Sequence, residues 1–321
     1  MMYRKPSEAG GDEPRMNYLF GPVASRRLGR SLGVDVLEFK TCTLDCIYCE
    51  LGRTPSPTTA RREYAPVEAV LAEVRAWYAA GGAAEVITLA GSGEPTLHSR
   101  FGEIIRGIKE AGPLPVCLLT NGTLFGMPEV RRDAALADMV VPSLDAPSRA
   151  VFEKINRPEA GLDYDAYVDG LRAFAREYRG RLWLEVFIVP GVNDDEPTVR
   201  RLAALASSLH PEKIQLNTAV RPAAESFVQP VQPERLEAFA ALFTPRADVP
   251  GSFNRPFGAD LPVQAESIVA LVRRRPCTLD DIAQGLAFNP ADAARMVAEL
   301  CHAGCVTTET RDGETYYRAA G

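Results

Sequence analysis

Two hydrophobic patterns alternate along this chain. Val67, Val70, Leu71 and Val74 follow Pro66 at i, i+3, i+4 and i+7, which predicts an amphipathic helix ended by Gly81-Gly82. The short apolar run Glu85-Val86-Ile87-Thr88-Leu89-Ala90 comes next and reads as a buried strand. The pair then repeats: a helical stripe of Phe101, Ile104, Ile105 and Ile108, a strand at 115–120, a helix at 128–137 and a strand at 138–144. Helices at 147–154 and 163–178, a strand at 182–189, a helix at 196–209 and a strand at 213–217 complete the series. With a strand-like run at 34–39 ahead of them, six strands alternate with helices. Parallel strands need long crossovers, and helices are what cover the sheet, so the prediction is α/β with a parallel sheet. Periodicity alone does not separate a doubly wound sheet from an open barrel.

The flanks read differently. Residues 1–15 lack apolar periodicity and are expected to form a disordered tail ahead of a domain spanning 16–220. Residues 221–263 are proline-rich and irregular, an extension and linker with one helix at 233–243. From 264 to 321 the pattern gives three helices and then two strands flanking Arg311-Asp312-Gly313, a hairpin signal, so a small winged-helix-like domain is expected. That segment has six Arg and no Lys against eight Asp and Glu, and its third helix carries Asp292 and Glu299 against a single Arg295. Phosphate contacts dominate duplex affinity, so an acidic reading helix argues against duplex DNA.

Composition changes this picture little. With 46% hydrophobic and 24% charged residues and a net charge of −6, the chain reads as an ordinary globular protein with no global pull toward nucleic acid or anionic membranes. No apolar run is long enough for a membrane helix, and the start has no signal-peptide core. Seven cysteines, an odd count, suit a reducing compartment, and the expectation is a cytoplasmic protein.

The cysteines carry the candidate chemistry. Cys42, Cys46 and Cys49 stand at C-x3-C-x2-C directly after the strand-like run. A compact thiolate trio suits an iron–sulfur cluster, whereas structural zinc usually takes four ligands in two pairs, and no second pair stands nearby. Three thiolates on a four-iron cubane leave one iron open. This spacing, with Tyr48 just before the third cysteine, resembles the signature of the radical S-adenosylmethionine (radical SAM) superfamily. The resemblance implies a partial (β/α)6 TIM-like barrel and a [4Fe–4S] cluster on Cys42, Cys46 and Cys49. It also implies S-adenosylmethionine (SAM) on the open iron, an electron donor such as flavodoxin or ferredoxin, and reductive cleavage of SAM to a 5′-deoxyadenosyl radical.

The predicted strand ends suit that resemblance, because ligands bind at the C-terminal ends of parallel strands. Gly91-Ser92-Gly93-Glu94 resembles the superfamily's glycine–glycine–glutamate motif for the SAM methionine amine, with Ser92 in place of a glycine. By the same resemblance Tyr48 lies near adenine, and Ser143 and Asp145 lie near the ribose or methionyl carboxylate. Asn121, Glu185 and Asn217 are further cofactor candidates at strand ends, and any of these residues also suits a plain strand cap or turn. Asn156-Arg157-Pro158 looks like superfamily sequence without a defined role, and Val192 to Glu196 reads as a helix start.

Arg26, Arg27 and Arg30 form a basic glycine-containing loop, read either as a grip on a substrate anion or as a solvated lead-in, and Arg221 is a candidate to reach substrate from the barrel mouth. Cys117, Cys277, Cys301 and Cys305 read as packing residues, the alternative for the tail being a second metal site with His302. The barrel, including Gly21-Pro22 and Ser25 to Gly29, looks closest to an uncharacterised branch near the wyosine-pathway tRNA-modifying enzymes. Those enzymes carry a second cluster from upstream cysteines, and this chain has none before Cys42. By the family analogy and the basic loop at 26–30, hydrogen abstraction from a tRNA base is the first expectation for substrate. The alternatives are a peptide presented by the winged helix, or a redox-sensing regulator whose cluster gates DNA binding.

Overall fold

The computed structural model describes residues 18–249 and 265–320, apart from 26, 27, 287 and 312. Seven strands form one sheet in sequential order. Strand β1 (Leu19–Ser25) runs antiparallel to β2 (Gly29–Val34). Parallel to β2 follow β3 (Val86–Leu89), β4 (Val116–Thr120), β5 (Met139–Pro142), β6 (Arg181–Phe187) and β7 (Lys213–Asn217). The crossovers carry helices α1 (Val67–Ala79), α2 (Phe101–Ala111), α3 (Pro128–Ala134), α4 (Arg149–Ile155), α5 (Tyr164–Glu177) and α6 (Glu196–Ser207). This mixed α/β arrangement is the partial barrel expected of six parallel strands, with β1 added at one edge.

Helix α2 illustrates how the pattern becomes packing. Its Ile104, Ile105 and Ile108 are all 0% exposed, and burying each such side chain is worth about 1.5–3 kcal/mol before ordering costs. Helices α5 and α6 start where Asp163 and Asp195 accept from the backbone N–H of Ala166 and Thr198, each at 2.9 Å.

The first two strands differ from expectation. The strand leading to the cysteines is Gly29–Val34, not 34–39, and the stretch read as a basic loop opens it. Its alternation is masked because Gly33 has no side chain, and the Phe20 ring of β1 fills that space. After β7 come α7 (Pro233–Ala240), α8 (Ala265–Arg274), α9 (Leu279–Leu286) and α10 (Pro290–His302). The antiparallel pair β8 (Val306–Arg311) and β9 (Glu314–Ala319) closes the chain. Helices α8–α10 and the hairpin share a second hydrophobic core, in which Cys277 is buried and Cys301 and Cys305 are partly buried.

Candidate functional site

The cysteine loop follows β2 and is clamped from two sides. On one side Lys40 N–H donates to the Ser92 carbonyl (2.7 Å) and Glu94 N–H to the Thr41 carbonyl (2.9 Å). Gly93 permits this approach, since a Cβ there would lie 1.7 Å from the Thr41 carbonyl oxygen. Gly91, at φ +147, likewise leaves room for Asp35, whose Oδ2 accepts from Ser92 Oγ (2.6 Å) and Ser92 N (3.1 Å). Space that the sequence reading left for a ligand is thus taken by the chain's own Thr41 and Asp35.

On the other side Ile47 N–H donates to the Ile155 carbonyl (3.0 Å) and Glu159 N–H to the Thr43 carbonyl (2.9 Å). Arg157 adds an ion pair to Glu225 at 2.5 Å. The segment around Asn156-Arg157-Pro158, without a defined role in the sequence reading, is therefore the second jaw of the clamp.

Each sulfur meets one N–H donor from a different place. Lys40 Nζ lies 3.2 Å from Cys49 Sγ, Asn156 Nδ2 3.4 Å from Cys46 Sγ, and Asn121 Nδ2 3.6 Å from Cys42 Sγ. Burial first, and Glu94 next, push the Cys42 thiol up to about 12; burial followed by Cys42 raises Cys46 well above its usual range. Such thiols are neutral at pH 7 unless a metal group supplies compensating charge. Among the described residues no three His, Cys, Asp or Glu side chains converge tightly enough for a single ion. The three side-chain N–H donors are the kind that stabilise a cluster's sulfurs.

Behind the cysteines lies a buried network. Tyr48 stacks on Phe187 (centroids 3.9 Å, 8° between planes), and its hydroxyl donates to Asp145 Oδ2 at 2.5 Å. Asp145 also accepts from Asn156 Nδ2 (2.9 Å) and Phe187 N–H (2.8 Å). Burial raises its carboxyl to about 6, against the pull of those three donors. Glu94 accepts from Thr96 N–H, Thr96 Oγ1 and Thr120 Oγ1 on Oε1, and from Asn121 N–H on Oε2. Glu94 is first a brace between two strand ends, with acceptor capacity left on Oε2.

The barrel encloses a cavity of about 430 Å³, within the range that holds small molecules. Of the sequence candidates, Tyr48, Cys49, Gly91, Ser143, Glu185, Asn217 and Arg221 line it, whereas Cys42, Cys46, Ser92, Gly93, Glu94, Asn121 and Asp145 do not. Glu185 Oε1 accepts from Asn217 Nδ2 at 2.7 Å.

The arginine expectations fare differently. Arg30 lies at the start of β2, the end of the sheet opposite the cysteine loop, where its N–H donates to Glu85 Oε2. It cannot grip an anion at the cysteines from there, while Arg26 and Arg27 lie outside the described residues. Arg221 does reach the cavity but is committed, with Asp281 of α9 at 2.8 Å and Glu50 at 3.3 Å. Burial disfavours its charge, and Glu50 and Asp281 outweigh that and raise its pKa. It joins the cysteine loop to the C-terminal helices. Lys40 and Asn156 are the residues sequence reasoning missed, Lys40 because a lone lysine beside a motif carries no pattern.

The radical SAM superfamily profile matches residues 39–203, just over half of the chain. The chain belongs to the radical SAM superfamily. It is 34% identical over 303 residues to a protein of Brachyspira hyodysenteriae named GTPase Obg, covering 93% of this chain but only 45% of that protein. The chain thus spans less than half the length of that relative, and it carries no G-x-x-x-x-G-K-[S/T] phosphate loop. It is also 32% identical to a UPF0026 protein of Methanocaldococcus jannaschii, over 71% of each chain. In fold it is similar to TYW1 with a lysine–pyruvate adduct bound, at a TM-score of 0.52 and 17% identity over 71% of this chain and 76% of that one. Radical SAM enzymes in general use SAM and a [4Fe–4S] cluster, and the residues described here fit both. No helix among the described residues is long and apolar enough to cross a membrane.

Proposed function

We propose that this chain binds a [4Fe–4S] cluster through Cys42, Cys46 and Cys49, binds SAM beside it, and cleaves SAM reductively to attack a substrate held in the barrel cavity. The observation that carries this reading is the trio of half-buried cysteines, each with a side-chain N–H donor on its sulfur, with Cys49 in the lining of the barrel cavity. When bound, the cluster supplies one low-potential electron to the sulfonium, giving methionine and a 5′-deoxyadenosyl radical. The chain's own part is positioning and exclusion. Lys40, Asn121 and Asn156 stabilise the thiolates, Gly91 lines the place for the methionine end while Glu94 braces its turn, and Ser143, Glu185 and Asn217 offer polar groups to the nucleoside. Tyr48 keeps its proton, because burial first and Asp145 next hold its pKa well above the usual range, and so fixes Asp145 as an acceptor.

Transfer of tRNA-base chemistry from the wyosine enzymes has little support here. The likeness to TYW1, at 17% identity, is one of fold alone and brings no substrate with it. The test is anaerobic reconstitution, reduction and addition of SAM, with 5′-deoxyadenosine as product. Its formation without DNA removes the pure-regulator alternative, and its absence from a fully loaded cluster sinks the enzyme reading.

A further inference from the structure

Outside the barrel, between the cysteine loop and the C-terminal helices, lies a second cleft of about 650 Å³. Its walls include Phe39, which is 61% exposed, and the run Arg273-Arg274-Arg275 at the end of α8. Only Glu50 and Arg275 line both this cleft and the barrel cavity, so they form the neck between the two.

Most arginines at this junction are already partnered. Arg274 Nε lies 3.3 Å from Asp35 Oδ2, with the guanidinium 4.2 Å above the Phe20 ring. Arg318 pairs with Glu309 at 2.9 Å, and Arg221 with Asp281 and Glu50. The Arg275 guanidinium has no ion pair or hydrogen bond among the described residues, although the residue is half-buried. It is also held in place. Pro276 follows it, and Cys277 exchanges both backbone hydrogen bonds with Tyr317 of β9, at 3.1 and 2.7 Å. A guanidinium at a neck, carried on a fixed backbone and without a hydrogen-bond partner among the described residues, matches a planar anion or a phosphoryl group.

We propose that Arg275 is the substrate's anion-binding residue: the substrate carries a carboxylate or phosphoryl group, held at the neck while the rest of it extends into the barrel cavity toward Cys49. This deepens the reading above, since it takes that cavity as the reaction chamber. The test is calorimetric titration of the full-length chain, both cluster-free and reconstituted, with inorganic phosphate and with malonate. The wild type should bind at least one saturably, and the stronger of the two identifies the group. Arg275→Gln should weaken that binding by about tenfold or more. Arg275→Lys should regain phosphate, which accepts a point charge, better than malonate, and Arg273→Gln should weaken binding less than Arg275→Gln. Melting without anion shows whether each variant is folded, and Arg275→Lys decides the matter if the glutamine variant is not. No saturable binding of either anion by the wild type, or wild-type affinity in a folded Arg275 variant, overturns the proposal. Because the cluster-free titration needs no SAM chemistry, failure to form 5′-deoxyadenosine would sink the enzyme reading while leaving this result to stand or fall alone.

Discussion

The two ends of the sheet handle charge in opposite ways. At the N-terminal ends, exposed opposite charges tie the strand starts to one another, to α2 and to the segment after α7: Lys109 to Asp138 (2.6 Å), Arg181 to Glu212 (3.0 Å) and Lys213 to Asp248 (2.5 Å). Arg181 and Lys213 also lie over the Trp183 ring, each 4.9 Å from its centre. At the C-terminal ends, Glu94 and Asp145 are 2% exposed and take their bonds from hydroxyl and amide donors instead. Water screens the first set, so its members are interchangeable. Each group in the second set faces its own fixed donors in a dry interior, where replacement leaves a polar atom stranded. A reactive site belongs at the second end, where geometry rather than solvent sets each group's state.

Replacing any one cysteine of the trio should break the dry end most severely. Cys42→Ala, Cys46→Ala or Cys49→Ala should cut reconstituted iron from about four per chain to a small residue, measured by iron and sulfide assay. Gly93→Ala comes next, because its new Cβ would meet the Thr41 carbonyl. We expect a loss of roughly 1–3 kcal/mol in denaturant unfolding of the cluster-free protein, with cluster loading reduced alongside.

Asp145 gives the comparison a pH signature. Its carboxyl releases a proton near 3.8 when unfolded and near 6 when native. Its contribution to stability is therefore full below about pH 4, falls by about 3 kcal/mol as pH rises to 6, and is flat above. Unfolding of cluster-free wild type and Asp145→Asn across pH 4–7 should show a steeper slope in the wild type, the variant keeping only the share of other carboxyls raised by burial, such as Glu94. Asn156→Ala removes donors to both Cys46 and Asp145, and should lower the cluster's reduction potential in an EPR-monitored titration while costing about 1 kcal/mol. At the wet end Arg181→Ala should cost less than about 1 kcal/mol, a loss that added salt shrinks further.

What was legible in the sequence follows the same division. Helices such as Phe101–Ala111 and strands such as Val116–Thr120 were readable because one periodicity dominates each. Strand β2 was misplaced because a glycine and an arginine interrupt its alternation, and β1 was missed because Gly21-Pro22 breaks its run. The cysteine trio was readable as local spacing. Its supporting donors were not, since Asn121 and Asn156 lie 79 and 110 residues from the sulfurs they face, and no local pattern reports a contact at that distance. The glycines of the Gly91–Glu94 turn were identified correctly as points of close approach, but what approaches them is the cysteine loop itself and Asp35.

The central claim is that three thiolates hold a four-iron cluster with one corner left for SAM. EPR of the reduced, reconstituted chain before and after addition of SAM tests it most directly. The account predicts a [4Fe–4S]⁺ signal whose g-values shift when SAM is added. A cluster spectrum indifferent to saturating SAM would contradict it.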